Sequence, residues 1–293
     1  MKLTYREDGT FTIVQLTDLH IGSIPHHEDD DKTFALIDKA FEKLDADLVV
    51  ITGDLIWSDG VPNADKVFKE LLQRINYHDI PVAITYGNHD SEDEFTRTDL
   101  RKMESVLDHF IEKKNTFIVD DRESYTIEIY DPFGETIKNV LYVIDSGADA
   151  PLPIGNYDWV HPEQVNWFRE VSKKYKNIDA RQSDLIFMHI PLPEYWQASQ
   201  SISSGECNET NDTISAPYIN TGLFASAVMD GQITGVFVGH DHDNNFVGEH
   251  VGIKLVYGQV SGYQCYGDFE RGARLIQLTV EGMETKTIVE SDF

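Results

Sequence analysis

The sequence predicts an α/β protein in which a largely parallel β-sheet stacks against a second, partly antiparallel sheet. Three observations carry this expectation. Apolar runs of strand length recur along the 293 residues, each closed by polar or glycine-rich residues. Segments of helical period separate several of these runs, as βαβ units require. The runs lack a strict two-residue alternation, which marks strands covered on both faces.

In chain order, FTIVQLT (11–17) ends at Asp18, DLVVIT (47–52) at Gly53-Asp54, and PVAITY (81–86) at Gly87-Asn88-His89-Asp90. VLYVID (140–145) ends at Ser146-Gly147, DLIFM (184–188) at His189, and ITGVFV (233–238) at Gly239-His240. Helical period is present in KTFALIDKAFEKL (32–44), ADKVFKELLQRI (64–75), TDLRKMESVLDHFI (98–111) and PEQVNWFREVSKKY (162–175). Pro162 suits a first helical turn, where a missing N–H costs nothing. Residues 116–145 and the tail 247–293 carry strands without intervening helices and supply the second sheet. The longest irregular stretch, 190–217, is of a length that in a compact domain is more often functional than idle. No repeat or linker divides the chain, so a single domain over 1–293 is expected.

Composition narrows the function. A hydrophobic fraction of 41% with 11% aromatics is that of a folded globule. Asp and Glu number 51 against 24 Lys and Arg, a formal charge of -27. Such a surface repels nucleic acid and anionic membranes, so neither is an expected partner. An anionic small-molecule substrate needs a local positive centre. The N-terminus has no signal-peptide pattern and no stretch reaches membrane-spanning length, so a soluble cytoplasmic protein is expected, a monomer or weak homo-oligomer. The two cysteines, Cys207 and Cys265, suit a reducing compartment and are read as thiols rather than a pair.

The strand ends collect Asp18, His20, Asp54, Asn88, His89, Asp90, His189, His240 and His242. Ligands of open α/β sheets bind beyond the carboxyl ends of strands, where these residues stand. Imidazole with carboxylate and amide oxygen suits Mn, Fe or Zn, and no cysteine is near these motifs in sequence. Seven donors are too many for one ion and right for two divalent ions sharing a carboxylate, the clamp used for displacement at phosphorus. Two such ions also supply the missing positive centre.

Asp-x-His, Gly-Asp, Gly-Asn-His-Asp, His and Gly-His-x-His, in this order over residues 14–242, resemble the calcineurin-like metallophosphoesterase superfamily. The resemblance implies a four-layer α/β/β/α sandwich of two mixed β-sheets flanked by helices. It implies that Asp18, His20 and His242 hold one metal, Asn88, His189 and His240 the other, and that Asp54 bridges. His89 would be a general acid or charge stabiliser oriented by Asp90, and a metal-activated hydroxide would attack the phosphate ester. MHIPLPEY (188–195), NTGLF (220–224), GHDHDNNF (239–246) and SGYQCYGDFERGAR (261–274) are similar to the short purple-acid-phosphatase-like and yeast dosage-suppressor-type phosphatase subgroup. True purple acid phosphatases carry a tyrosine ligand where Trp57 stands and lack the histidine found at His20, so no purple colour is expected. The subgroup's Gly-x-x-x-Glu corresponds to Gly205 and Glu209, making Glu209 a candidate for substrate or metal-water contact. Tyr195 is a candidate wall of the substrate pocket.

The expected activity is hydrolysis of a small-molecule or phosphoprotein monoester. The alternatives are a phosphodiesterase acting on cyclic nucleotides or phospholipid-type diesters, and a metal-free scaffold on the same fold. The other histidines, His26-His27 among them, and the acidic runs 28–31 and 90–94 are read as solvated surface or caps. Trp57, Tyr195, Trp196, Tyr263 and Tyr266 are read as core residues by default, with walling of the substrate pocket as the alternative for those near 195 and 263, which flank the expected mouth. Arg271 and Arg274 are read as partners in structural ion pairs.

Overall fold

The first third of the chain alternates strand and helix as its sequence pattern requires. In the computed structural model, which describes residues 2–92, 95–109, 111–151, 153–178, 181, 183–210 and 213–293, β1 (Leu3–Thr4) is followed by β2 (Phe11–Leu16), α1 (Glu28–Lys43), β3 (Leu48–Thr52), α2 (Ala64–Asn76), β4 (Val82–Thr85) and α3 (Arg97–Met103). Then come β5 (Lys114–Val119), β6 (Arg122–Tyr130), β7 (Ile137–Ile144), α4 (Pro162–Tyr175), β8 (Asp184–Phe187), α5 (Tyr195–Ala198) and β9 (Ile202–Ser204). The chain closes with α6 (Leu223–Asp230), β10 (Ile233–Val238), β11 (Val247–His250), β12 (Ile253–Tyr257), β13 (Gly272–Thr279) and β14 (Gly282–Val289).

Two mixed sheets result. One has five strands in the order β14-β13-β2-β3-β4, with β2, β3 and β4 parallel. The other has nine, β1-β6-β7-β8-β10-β12-β11-β9 with β5 also on β6, and β7, β8, β10 and β12 run parallel. The tail divides between them. β11 and β12 extend the larger sheet, whereas β13 pairs antiparallel with β2 and so covers an edge the parallel strands leave open.

Alternate residues of one strand reach different cores, which explains the unbroken apolar runs. Phe11, Ile13, Leu48, Val50, Leu185, Phe187 and Phe237 fill the space between the sheets. Val14, Leu16, Val49 and Ile51 face α1 and α2 on one outer side. Ile186, Met188, Val236 and Val238 face α4 and α6 on the other. Three apolar layers between four layers of backbone make the α/β/β/α sandwich.

Two helices differ from the sequence expectation. α1 begins four residues early because His27 caps it, accepting from the Asp29 N–H at 3.2 Å, and the acidic run 28–31 lies at the positive end of the helix dipole. Asp30 of that run is fully buried and accepts from the backbone of Gly22 and His27, so the stretch is not merely a solvated face. The helix expected over 98–111 ends at Met103 and continues only as a 3-10 turn to Val106. Asn76 captures the Asp108 N–H at 2.6 Å and Leu107 turns extended. Phe110 lies outside the described residues, as do Asp93 and Glu94 of the acidic run 90–94.

Candidate metal centre

The carboxyl ends of β2, β3 and β4 in one sheet meet those of β8 and β10 in the other. Each strand runs straight into its donor: β2 into Asp18 and His20, β3 into Asp54, β4 into Asn88, β8 into His189, and β10 into His240 and His242. Sharp turns aim them. Asp18, His20, Asp54 and His240 all hold positive φ, at 56°, 47°, 51° and 83°, and such strain in residues other than glycine collects at functional sites. Backbone bonds from Asp18 N–H to Gly53 and from His20 N–H to Asp54, at 3.1 and 3.0 Å, zip the first two turns together. The fully buried Gln15 ties the sheets at the floor of the site, donating to Thr52 Oγ1 at 2.8 Å and to the Val238 carbonyl at 3.0 Å. Two glycines are required by close approach: a Cβ on Gly87 would collide with Asp54 Oδ1, and one on Gly239 with Thr17 Oγ1.

Six of the seven expected donors meet in one volume, Asn88 adjoins it by preceding His89, whose N–H bonds Asp54, and each of the seven is at most 7% exposed. His242 Nε2 stands 3.4 Å from Asp18 Oδ1 and 3.3 Å from His20 Nε2. On the opposite side His189 Nε2 stands 3.3 Å from His240 Nδ1. Asp54 Oδ2 lies between the two groups, 3.1 Å from His189 Nε2 and 3.6 Å from His20 Nε2. Its other oxygen accepts the His89 N–H at 2.9 Å, which fixes the carboxylate plane.

The donor set fits a pair of divalent cations. Among the described residues Asn88 Oδ1, His20 Nδ1 and His240 Nε2 are buried without hydrogen-bond partners, and ring nitrogens face one another in two places. Two carboxylates sit in this pocket without a Lys or Arg counter-charge in contact among the described residues, and burying such ions costs several kcal/mol each unless cations compensate. In the protein alone the imidazoles supply that charge. Burial would raise Asp18, but His242 outweighs it and holds the carboxyl at about 2, while Asp54 is driven well below its usual range mainly by His189. His189 is pushed up to about 9 by Asp54 against its own burial, and His242 is raised by Asp18. Burial keeps His20 and His240 neutral, at about 3. Carbonyls orient two of the rings: His189 Nδ1 faces Thr52 O at 2.8 Å and His242 Nδ1 faces Tyr266 O at 3.1 Å.

Around this core, several expectations are corrected. Asp90 does not orient His89. Its carboxylate turns inward, where the backbone N–H groups of Asp54, Leu55, Ile56 and Gly87 converge on it at 2.7–3.1 Å. His89 Nδ1 instead meets Glu92 Oε1 at 2.8 Å, and this pairing raises the imidazole above its ordinary value despite partial burial. Tyr195 does not wall a pocket, because it is fully buried and its hydroxyl donates to the Val236 carbonyl at 2.8 Å. Arg271 and Arg274 form no ion pairs among the described residues; their guanidinium groups donate chiefly to backbone carbonyls.

Glu209 is at the rim, where its Oε2 accepts from the Tyr266 hydroxyl at 3.1 Å and from the Asp243 N–H at 3.3 Å. Tyr266 is half exposed and stacks on His242 with centroids 4.1 Å apart, so it belongs to the site rather than the core. Trp57 packs against both His20 and His89, at 4.4 and 4.2 Å. The ring of Tyr157 meets His240 edge-on at 4.3 Å; its surroundings in sequence gave no signal. Trp196 is exposed, and Tyr263 bonds Glu290 away from the donors. Cys207 and Cys265 form no disulfide, yet Cys265 lies close to His20 and His242.

Fold and site together define a calcineurin-like phosphoesterase: the chain belongs to this family, whose model matches residues 11–244. Among its relatives is a protein of Arabidopsis thaliana named probable inactive purple acid phosphatase 29, 30% identical with 94% of this chain and 78% of that one aligned. The phosphatase DCR2 of Saccharomyces cerevisiae is 29% identical over 84% of this chain and 46% of its own length. A dimetal phosphatase from Danio rerio shares the fold at a TM-score of 0.64, with 14% identity, 96% of this chain and 99% of that one covered. No helix among the described residues is long and apolar enough to cross a membrane.

Proposed function

We propose that this protein is a dinuclear metal-dependent phosphomonoesterase acting on a small-molecule or phosphoprotein ester. The observation that carries the reading is the place of Asp54 Oδ2, within 3.6 Å of donors on both sides of the centre. Asp18, His20 and His242 with Asp54 would hold one ion, and Asn88, His189 and His240 with Asp54 the other. Such a pair, when bound, neutralises phosphoryl oxygens and provides a nucleophile at neutral pH.

The chain's own groups do the rest. His89 keeps one ring nitrogen on Glu92 and has Nε2 for the substrate, so it protonates the leaving oxygen. Trp57 walls the imidazole from one side and limits its rotation. Tyr266 and Tyr157 flank the donors and restrict how an ester can enter. The word inactive in the names of the plant relatives speaks of those proteins; a chain that had shed the chemistry is expected to have shed donors, and here every donor position is filled. A monoester is favoured over a diester because relatives named phosphatases align along the catalytic core.

Metal-stripped protein reloaded with Mn2+ or Zn2+ is expected to bind two ions per chain and to hydrolyse p-nitrophenyl phosphate faster than its bis-ester or cyclic AMP. Preference for the bis-ester moves the assignment to a diesterase. Two bound ions with no hydrolysis of any of the three leaves a scaffold and sinks the enzyme reading.

A further inference from the structure

We propose that Cys265 is a sulfur donor to the cation held by Asp18, His20 and His242, and that it makes this half of the centre prefer a thiophilic divalent ion, Zn2+ or Fe2+, over Mn2+ or Mg2+. The inference rests on the dinuclear reading above and goes beyond it by giving the two halves different chemistry.

Donor atoms of His20, His242 and Cys265 all lie within 4.8 Å of one another. Zinc–sulfur and zinc–nitrogen bonds of about 2.3 and 2.1 Å place two donors of a tetrahedral ion about 3.6 Å apart, so the three side chains would close around a bound ion. His20 supplies an independent sign of an absent partner. It is fully buried, its Nδ1 touches no hydrogen-bonding group, and its Nε2 faces His242 Nε2 at 3.3 Å. With the proton on Nδ1, the lone pair of His20 Nε2 is aimed at the ring nitrogen of His242, and a cation between the two rings gives that lone pair a partner.

The turn that carries Cys265 is held rigidly. Arg271, itself 8% exposed, donates to the carbonyls of Gly262, Cys265, Tyr266, Gly267 and Phe269. The Gly262 N–H reaches Asp18 O at 2.9 Å, and Trp57 Nε1 reaches Gln264 O at 3.1 Å. The thiol faces the Gly262 carbonyl at 3.2 Å, a weak bond that a metal readily replaces. On binding, the S–H bond is exchanged for a sulfur–metal bond and one proton leaves to solvent. The other half, built from Asn88, His189 and His240, offers oxygen and nitrogen alone. Softness therefore separates the two positions.

Cobalt makes the sulfur visible. Titration of the metal-stripped protein with Co2+ is expected to give ligand-field bands in the visible and a sulfur-to-cobalt charge-transfer band in the near ultraviolet. Cys265→Ser should lose the charge-transfer band, keep the ligand-field bands, and fold normally, since its hydroxyl can still reach the Gly262 carbonyl. Cys207→Ser should keep both sets. Competition of Zn2+ against Mn2+ for the first equivalent should fall at least about tenfold in Cys265→Ser, the scale on which metal sites answer to a lost supporting group. Bound cobalt with no charge-transfer band, or a band that survives Cys265→Ser, overturns the assignment while leaving the dinuclear centre intact. Failure to bind cobalt at all overturns both.

Discussion

His89 and Glu92 show how a residue's role is decided by where its side chain points rather than by its neighbours in sequence. Asp90 stands next to His89, but four backbone N–H groups claim it, and removing it would leave several of them buried and unmet at about 1–3 kcal/mol each. Glu92, three residues on, is free to reach the imidazole, and Ser58 steadies it by accepting the Glu92 N–H at 2.8 Å. Glu92→Gln is therefore expected to lower turnover about 10–100-fold on esters with poor alcohol leaving groups and far less on p-nitrophenyl phosphate, whose leaving group needs no acid. Metal content should stay near two ions. Equal losses on both substrates would show that Glu92 does not act through proton donation. The seven candidate donors could be picked out in the sequence because each closes an apolar strand, a position that leaves a side chain few alternatives. Glu92 was hidden in an acidic run that resembles solvated surface, Cys265 in a segment distant in sequence from the strand-end residues, and Tyr157 in a loop without periodicity.

Elements were legible where one physical signal set them. Strands buried on both sides announce themselves as apolar runs, and α4 spans Pro162–Tyr175 as its proline and period foretell. What escaped depended on partners far along the chain. The splitting of the tail between the sheets follows from β2 needing an edge partner, and α6 is too short and too uniformly apolar to show a helical face. Long-range polar contacts also hold the rim of the larger sheet. Lys114 on β5 pairs with Glu128 on β6 at 2.6 Å, and Tyr175 on α4 donates to the same carboxylate at 2.8 Å. Burial would raise Glu128, but Lys114 and the hydroxyls of Tyr130 and Tyr175, both of which donate to it, outweigh burial, and its folded pKa lies below the ordinary value. A depressed carboxylate stabilises the fold above its unfolded pKa of about 4.3, and that contribution disappears as pH falls through the lower folded value. Glu128→Gln should thus lower the denaturation midpoint at pH 7, with the gap from wild type narrowing as pH drops below about 4.3. A gap that widens on acidification would reverse the sign and refute the pairing as its source.

Over the whole molecule, the charge of -27 and the positive centre that the proposed ion pair would supply act on different lengths. Two divalent ions add four positive charges, which leaves -27 + 4 = -23 as seen from afar. The buried guanidinium groups near the site do not change this, because Arg97 is engaged with Asp145 and Gly87 while Arg271 is engaged with its own loop. Within a few ångströms of the ions a phosphate is attracted; beyond that it meets the acidic surface, Glu92 and Glu209 included. Salt distinguishes the two ranges. Between about 0.01 and 0.15 M ionic strength the Debye length shrinks from about 30 to about 8 Å, which screens the distant repulsion and spares the contacts at the ions. For a dianionic monoester, kcat/KM is therefore expected to rise severalfold over that interval, while a singly charged diester gains less. Enzymes that steer anions by a positive surface behave in the opposite way, losing rate steeply with salt. The measurement is a set of initial rates in NaCl at fixed metal saturation. A steep fall would mean that the cations already dominate the field at encounter distance, and that the acidic surface exerts no control over access.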